Sequence, residues 1–295
     1  MARCLVTGHK GYIGSKLHDE LVKQGHEVMG IDKASAESDN ILLTSAGLRG
    51  DNALKSAYGK FKPEYIFHLA CIPRVAYSVE NPVSTMENNI LASSIVYDFA
   101  RKVGAKRVIY SSSSSVVGNG DGPTSPYGLQ KLVSEMECKL YADLYGVDTV
   151  GLRYFNVYSE DQTVDGPYAT AVANWMHFIR QGQDPFITGN GEQRRDMLYV
   201  HDAVSANIFC MNRKEDFKGA HYDVGTGTNI SLNEMREIVW KHHPKVIFKY
   251  KDARAGDVLY TKANTKPLGE LGWKVDMTLS KGLDRCFKGV RNGKA

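Results

Sequence analysis

The sequence has little of what marks secreted, membrane-spanning or metal-binding proteins. Its 295 residues include five cysteines, which stand far apart without a CxxC pair or a histidine cluster. This spacing predicts no disulfide framework and no metal site, and favours a reduced, cytoplasmic chain with cysteines in its core. No stretch reaches the roughly 18 apolar residues of a membrane span. The apolar run at residues 4–6 is too short for a signal peptide core.

The sequence also lacks a large excess of charge of one sign. It carries 37 basic and 33 acidic residues, a formal net charge of +4, without a dense basic stripe. A nucleic-acid partner is therefore not expected. Hydrophobic residues make up 42% and charged residues 24% of the chain, which is ordinary globular composition and excludes disorder as the main state. The length fits one large domain or two smaller ones.

Short apolar runs alternate with helical periodicity in the first part of the chain. Strands are predicted at residues 3–7, 27–31, 65–69, 106–110 and 150–155, and helices at 15–24, 84–103 and 127–145. Hydrophobic strands separated by helices indicate a parallel sheet covered on both faces, an α/β doubly wound Rossmann arrangement.

The rhythm loosens in the second half of the chain, where we predict a smaller C-terminal α/β domain. Helices are expected at residues 169–180 and 232–241, a strand at 246–250, and the end of a helix near 267–271. We place the Rossmann domain at residues 1–157, with 196–219 returning to it. The smaller domain then comprises residues 158–195 and 220–295.

Three glycines, Gly8, Gly11 and Gly14, join the first predicted strand to the first predicted helix. Backbone N–H groups at such a helix start can hold a pyrophosphate. Asp32 follows Gly14 by eighteen residues, at the end of the second strand. A carboxylate there accepts hydrogen bonds from ribose hydroxyls and repels a 2′-phosphate, which favours NAD over NADP. Lys33 beside it weakens that preference slightly.

A tyrosine and a lysine, Tyr127 and Lys131, stand four residues apart and would share one face of a helix. A nearby cation stabilises a phenolate and brings its pKa toward neutral pH, as a general acid/base requires. Ser113 precedes the pair by fourteen residues, at the end of a predicted strand. Taken singly, these features also fit a polar loop and a solvated helix face. Together, behind a dinucleotide motif, they favour a catalytic site.

These motifs resemble those of extended short-chain dehydrogenases/reductases, in the NAD-dependent nucleotide-sugar epimerase/dehydratase family, and among them those of UDP-hexose 4-epimerases. The similar segments follow the family order from residue 5 to about 275. They are residues 6–15, 68–70, 110–113, 126–131, 152–158, 195–202 and 254–257.

The resemblance implies roles for individual residues. Tyr127 would be the acid/base at a sugar hydroxyl, Lys131 would hold the nicotinamide ribose, and Ser113 would bind the reacting oxygen. The residues expected at the NAD site are Gly8, Gly11, Tyr12, Ile13, Gly14, Asp32, Lys33, Asp51, Leu69, Ala70, Asn89, Ser111, Tyr127, Lys131 and Tyr154, although Asp51 fits a surface turn equally well. Those expected at the nucleotide sugar are Ser113, Asn156, Arg195, Arg254, Asp257 and Thr261.

Ser114 and Ser115 indicate which reaction this chain performs. Dehydratases of the family resemble Thr-Asp-Glu around these positions, and decarboxylating and 3,5-epimerising members carry Glu or Cys at the second. With neither carboxylate nor thiol, the resemblance implies epimerisation at C4 through a 4-keto sugar, on a nucleotide sugar for which UDP is favoured. The alternatives are an NAD(P)H-dependent 4-keto-sugar reductase and a non-catalytic NAD-binding scaffold.

The chain departs from the family pattern around the sugar. Val117 replaces a usual tyrosine, and only eight residues separate Gly118 from Tyr127, where relatives carry a longer loop. Thr261 stands where some relatives have a bulky tyrosine, which favours UDP-GlcNAc or UDP-GalNAc as accepted substrates. The helices at 84–103 and 127–145 resemble those that pair in family homodimers, so a homodimer is expected.

Overall fold

The structure, a computed structural model, describes residues 1–32, 61–162, 164, 170–253 and 258–290. The chain forms two compact units. The first unit contains Met1–Arg153 and Ala203–Tyr222, and the second contains Tyr154–Asp202 and Asp223–Ala295. The assignment of the cofactor to one unit and of the sugar nucleotide to the other remains a prediction.

Twelve strands lie in the described part of the chain. They are β1 (Arg3–Thr7), β2 (Glu27–Ile31), β3 (Tyr65–His68), β4 (Arg107–Ser113), β5 (Asp148–Tyr154), β6 (Val157–Tyr158), β7 (Phe186–Thr188), β8 (Arg194–Arg195), β9 (Leu198–Tyr199), β10 (Ala220–Val224), β11 (Ile230–Ser231) and β12 (Lys249–Lys251).

Ten α-helices lie in the same described ranges. They are α1 (Tyr12–Lys23), α2 (Val75–Glu80), α3 (Pro82–Met86), α4 (Ala92–Val103), α5 (Pro126–Tyr145), α6 (Ala171–Arg180), α7 (Val200–Asn212), α8 (Leu232–His242), α9 (Lys266–Glu270) and α10 (Leu279–Lys288). A π-helical turn, Glu87–Leu91, joins α3 to α4, and a 3₁₀ turn, Ser114–Val116, follows β4. None of the described helices has the length and apolarity to cross a bilayer.

A six-stranded sheet, in the order β10-β5-β4-β3-β1-β2, confirms the predicted Rossmann fold. The pairs β1–β2, β1–β3 and β3–β4 are parallel. Leu5, Ile66 and Val108 from neighbouring strands pack with Val96 and Tyr97 of α4 in one buried cluster. These strands lack strict polar–apolar alternation because burial on both faces selects continuous apolar runs.

Two predicted elements differ from the structure in ways that affect the site. The strand predicted at 106–110 begins at Arg107 and continues to Ser113, and all seven of its residues are buried. The helix predicted at 84–103 is divided by the π-helical turn at Glu87–Leu91. In both cases the buried polar groups form hydrogen bonds with residues far away in the sequence, which are described below. Sequence patterns do not show those partners.

The second unit contains three small sheets and its own core. Strand pairs β6–β9 and β7–β12 are parallel, and β8–β11 is antiparallel. Trp175 of α6, Met235 of α8, and Leu283 and Phe287 of α10 belong to its buried cluster. The prediction missed α10, which contains Gly282. A Cβ at that glycine would lie 2.1 Å from the Tyr158 hydroxyl, so the glycine serves a tertiary contact rather than a turn.

Candidate active site

The glycine turn between β1 and α1 is built by close backbone contacts. Gly8 has φ +76°, and a Cβ there would lie 2.8 Å from the Ala70 nitrogen. A Cβ at Gly14 would lie 2.1 Å from the Gly8 oxygen. The turn closes with a hydrogen bond from Gly11 N–H to the Gly8 carbonyl, at 2.9 Å. The helix starts without an acidic residue in its first turn, which suits an anionic ligand.

Asp32 lies directly after β2 and is buried. Its Oδ2 accepts a hydrogen bond of 3.0 Å from the Lys10 backbone N–H, in the glycine turn. The structure thus brings together the carboxylate and the turn, the two parts of the predicted dinucleotide site. Tyr12 and Ile13 form the first turn of α1. Lys33 and Asp51 lie outside the described residues.

A chain of hydrogen bonds links the end of β1 to the π-helical turn. The Thr7 hydroxyl lies 2.8 Å from His68 Nδ1, and His68 Nε2 lies 3.0 Å from the Ser93 hydroxyl. Ser93 donates to the Asn89 carbonyl at 2.6 Å. Burial, together with the positive charge of Lys131, lowers the pKa of His68 to about 3. A neutral imidazole with its proton on Nε2 satisfies this chain throughout.

Asn89 uses its side chain to join two segments of the first unit. Its Oδ1 accepts from Ile72 N–H at 2.7 Å, and its Nδ2 donates to Gln130 Oε1 of α5 at 2.8 Å. Leu69 and Ala70, also predicted at the cofactor, stand just before Ile72, and both of their N–H groups bond Thr7. The predicted residues Leu69, Ala70 and Asn89 are therefore gathered around the loop after β3.

Ser113, Tyr127 and Lys131 lie where β4 ends and α5 begins. Ser125 caps α5 by accepting from Gly128 N–H at 3.2 Å, and Pro126 opens its first turn. The capped start of α5 carries Tyr127, whose N–H donates to the Ser78 hydroxyl at 3.0 Å. Ser113 accepts from the Ser115 N–H at 3.2 Å.

Lys131 is almost fully buried on the face of α5 that meets the sheet. Its Nζ donates to the Ser111 carbonyl at 2.5 Å. It also lies 4.7 Å from the Tyr110 ring centroid and 5.9 Å from that of Tyr127. The predicted i, i+4 relation of Tyr127 and Lys131 therefore holds, with the lysine tied to the strand end at Ser111.

The pKa of Tyr127 does not follow the sequence-based expectation. Burial raises the pKa of its phenol, charge on Cys71 raises it further, and a hydrogen bond with Ser113 lowers it. The net direction is upward, whereas the sequence predicted a lowering by Lys131. The largest cause is that the phenolate would lose its hydration in a buried position.

The short segment before Tyr127 forms a tight glycine-rich turn. Gly118, Gly120 and Gly122 all have positive φ, and Gly118 forms an isolated bridge with Gly122. A Cβ at Gly118 would lie 1.9 Å from the Gly122 oxygen, so the closure requires glycine. Val117 is 40% exposed beside this turn.

The predicted substrate residues of the second unit are joined by backbone contacts. Asn156, with φ +29°, donates from Nδ2 to the Asp196 carbonyl at 2.7 Å. Asn156 and Arg195 both line a cavity of about 170 Å³ that also includes Trp175 and Gln193. Thr261 accepts from the Asp196 N–H with its carbonyl and with its hydroxyl.

Three predicted site residues remain, two for the substrate and one for the cofactor. Arg254 and Asp257 lie outside the described residues. Tyr154 is buried at the end of β5. It is the first residue of the second unit, since the first unit ends at Arg153. Among the described residues, no group of three or more His, Cys, Asp or Glu side chains is placed to hold a metal ion.

Comparison with known proteins identifies the family. Residues 4–225 match the model of the "NAD dependent epimerase/dehydratase family". The chain belongs to this family. The match confirms the predicted family and its cofactor, NAD, and it covers both the glycine turn and the Tyr127–Lys131 pair.

Similar proteins include several nucleotide-sugar epimerases. A putative UDP-glucose 4-epimerase of Methanocaldococcus jannaschii is 32% identical, over 98% of both chains. A UDP-glucose 4-epimerase of Thermotoga maritima, solved with UDP-glucose, has a TM-score of 0.88 at 29% identity, over 97% of both chains. A UDP-N-acetylglucosamine 4-epimerase of Methanobrevibacter ruminantium, solved with UDP-N-acetylmuramic acid, has a TM-score of 0.86 at 30% identity, also over 97% of both.

Sequence reasoning missed a buried carboxylate on α5, the helix that carries Tyr127 and Lys131. Glu135 Oε1 accepts from the Ser112 hydroxyl at 2.6 Å, and both Glu135 oxygens bind Arg153, at 2.8 and 2.7 Å. Glu135 thereby satisfies the buried polar end of β4 next to Ser113. Its place four residues after Lys131, on the same helical face, was the available signal.

Proposed function

We propose that this chain is an NAD-dependent 4-epimerase of UDP-sugars. The observation that carries the proposal is the meeting of Ser113, Tyr127 and Lys131 at the end of β4 and the start of α5. A phenol, a hydroxyl and a buried ammonium suit proton transfer at a sugar hydroxyl. No carboxylate or thiol accompanies them at Ser114 or Ser115, as elimination or decarboxylation would require.

The first unit fits NAD. The tight glycine turn leads into the N-terminus of α1, where backbone N–H groups would hold the pyrophosphate, and Asp32 would accept hydrogen bonds from ribose hydroxyls. Lys131 would hold the nicotinamide ribose, and Asn89 would support the loop that faces it. When bound, NAD supplies the hydride acceptor and takes no net part in the reaction, because the hydride returns within each cycle.

The chain's own residues move the proton. Tyr127 removes the proton of the C4 hydroxyl as that carbon is oxidised to a ketone, and Ser113 hydrogen-bonds the same oxygen. After the 4-keto sugar turns over, Tyr127 returns the proton as the ketone is reduced on its other face. The product is then the C4 epimer, with no net oxidation.

The second unit is proposed to bind the nucleotide. Arg195 lines a cavity, and a guanidinium makes bidentate, charge-assisted bonds to a diphosphate. Arg254 and Asp257 are proposed to hold the diphosphate and the ribose. Thr261 has a small side chain, and its hydroxyl accepts a hydrogen bond from the Asp196 N–H. The side chain is thereby held against the backbone of Asp196 and occupies little space. This favours acceptance of an N-acetylated sugar, the kind of sugar in the name of the Methanobrevibacter ruminantium enzyme.

The purified protein should be incubated with UDP-, GDP- and CDP-sugars, followed by chromatographic separation of the epimers. We expect interconversion of UDP-GlcNAc and UDP-GalNAc without net change in NADH absorbance. Turnover of UDP-glucose alone would reject the N-acetyl preference. Stoichiometric consumption of NADH with a 4-keto sugar would identify a reductase instead.

The Tyr127→Phe substitution separates an enzyme from a scaffold. The variant keeps the ring and loses the hydroxyl that transfers the proton. Turnover should fall below about 0.1% of the wild-type rate, while the NAD content of the purified protein stays unchanged. Retained turnover would show that Tyr127 is not the acid/base.

A second copy of the chain is the proposed macromolecular partner. Leu129, Met136, Leu140 and Leu144 of α5 are each at least half exposed and lie along one helical face. Apolar stripes of this kind mark protein interfaces. Light scattering should report a dimer, and Leu140→Glu should yield a monomer. A monomeric wild-type protein would exclude this interface.

A further inference from the structure

Asp196 is a fully buried carboxylate in the second unit, between Arg195 of β8 and Leu198 of β9. Its side chain accepts four hydrogen bonds. Oδ1 accepts from the Thr226 N–H at 2.9 Å and from the Thr226 hydroxyl at 2.8 Å. Oδ2 accepts from Gly227 N–H at 2.9 Å and from Ala263 N–H at 3.0 Å. All four donors point at one carboxyl group, and none of the four is a cation.

The backbone of Asp196 extends the same cluster. Its N–H reaches the Thr261 carbonyl at 3.1 Å and the Thr261 hydroxyl at 3.2 Å. Its carbonyl accepts from Asn156 Nδ2 at 2.7 Å. Three separate segments, at residues 156, 226–227 and 261–263, therefore converge on Asp196.

The packing around the carboxylate leaves little freedom. A Cβ at Gly225 would lie 2.6 Å from the Ala263 Cβ and 3.0 Å from Asp196 Oδ2. Gly227 has φ +70°, which turns its N–H toward the carboxylate. The sequence Gly225-Thr226-Gly227 is thus shaped to wrap the Asp196 side chain.

We propose that Asp196 is the positioning residue of the nucleotide-sugar site, holding Asn156, Arg195 and Thr261 in register. This inference rests on the proposed function, which places these three residues at the substrate. Asp196 acts through them and does not itself touch the ligand. Its carboxylate binds both the 226–227 and the 261–263 segments, so its loss removes the side-chain anchor that holds them beside Arg195.

Asp196→Asn tests the proposal because the amide keeps the shape and loses acceptor capacity. Its NH₂ group must face two of the four N–H and O–H donors. We expect the dissociation constant for UDP, measured by titration calorimetry, to rise about 10- to 100-fold. The KM for UDP-sugar should rise similarly, while kcat stays within about threefold because Tyr127, Ser113 and Lys131 lie in the other unit.

Asp202→Asn is the matched control. Asp202 is equally a buried aspartate of the second unit, and it accepts from Asp276 N–H at 2.8 Å and Met277 N–H at 3.1 Å. Its partners are not predicted substrate residues. The variant should lose stability and leave the UDP dissociation constant within about twofold. If Asp196 had only a structural role, Asp196→Asn would reduce the fraction of protein that binds UDP, which calorimetry reports as a lower stoichiometry. The UDP dissociation constant of the folded variant would then be unchanged, as for Asp202→Asn.

If Asp196→Asn does not fold, a milder variant tests the same proposal. Thr226→Val removes one of the four bonds and should weaken UDP binding about threefold or more. UDP binding as tight as wild type in the variants that fold would overturn the positioning role and leave the proposed function intact. Wild-type protein that binds UDP without epimerising any UDP-sugar would overturn the proposed function alone. A wild-type protein that does not bind UDP would overturn both.

Discussion

Protonation around Tyr127 is governed by burial rather than by the neighbouring lysine. The pKa of its phenol is raised, first by desolvation and then by Cys71, and the hydrogen bond with Ser113 works against both. Lys131 Nζ is committed to the Ser111 carbonyl. The neutral phenol of Tyr127 is therefore the stable form, and the phenolate is populated only as pH rises.

The ascending limb of the kcat profile, where activity rises as the phenolate forms, should move when either neighbour is changed. Ser113→Ala removes the contribution that lowers the pKa of Tyr127, so activity should require a higher pH. Cys71→Ala removes the electrostatic contribution that raises this pKa, so activity should rise at a lower pH. Initial rates between pH 6 and 11 measure both. Shifts in the same direction for the two variants would contradict this account.

His68 should make stability fall in acid. Its native pKa is about 3, whereas an unfolded histidine titrates near ~6.5. Between these values the unfolded state binds more protons, so stability is fully present above about pH 6.5 and decreases as pH falls toward about 3. His68→Gln should reduce that slope by about one proton, measured by urea unfolding from pH 4 to 7.5. The exposed His177→Gln should leave the slope unchanged.

At the scale of elements, the contact between α5 and the 3₁₀ turn at Ser114–Val116 sets where Tyr127 stands. A Cβ at Gly128 would lie 2.5 Å from the Ser115 carbonyl oxygen. Inside a helix, alanine is normally favoured over glycine by roughly 0.5–1 kcal/mol. Here the atom that a Cβ would meet belongs to the backbone, which cannot move away as the end of a flexible side chain can. The glycine therefore allows the helix to approach the strand end.

Gly128→Ala should lower kcat by about tenfold or more, because α5 must shift and Tyr127 shifts with it. Gly146, at the other end of α5, is the matched control. It has φ +65° and nothing within 4 Å of a Cβ, so Gly146→Ala should cost about 1 kcal/mol of stability and leave kcat unchanged. Equal kcat values for the two variants would show that the close approach is unimportant.

At the scale of the whole molecule, Arg107 ties a late part of the chain to the first unit. It forms an ion pair with Asp148 and donates to the carbonyls of Cys210, Arg213 and Glu215. Asp148 in turn accepts from the N–H groups of Phe217 and Lys218. Five carbonyl or N–H groups after residue 209 are thereby satisfied by two residues of β4 and β5.

Arg107→Met should destabilise the protein by about 3–5 kcal/mol, since it leaves Asp148 buried without its cation. Urea unfolding measures the loss. The control is Arg101→Met, which breaks an exposed pair with Asp98 and should leave the unfolding midpoint close to wild type. An Arg107 variant as stable as the control would show that the ion pair and the carbonyl contacts contribute nothing net.

Sequence patterns were sufficient where the signal is local. β1 and β2 match their predicted bounds, and the Gly8–Gly14 turn, Asp32 and the Tyr127–Lys131 spacing occupy the elements expected. The extension of β4 to Ser113 was not predictable, because buried serines look like a loop until Glu135 and Lys131 satisfy them. Helix α10 was missed for a similar reason. Its Gly282 looks like a helix breaker in the sequence, but it is there because the Tyr158 hydroxyl packs against it.

The sequence by itself determined the parallel α/β architecture, the family and NAD, because continuous apolar strands, glycine spacing and i, i+4 pairs are properties of neighbouring residues. Only the tertiary structure decided the direction of the Tyr127 pKa, the π-helical turn that places Asn89, and the gathering of three distant segments on Asp196. These depend on burial and on hydrogen bonds between residues far apart in the chain, and no local pattern reports either quantity.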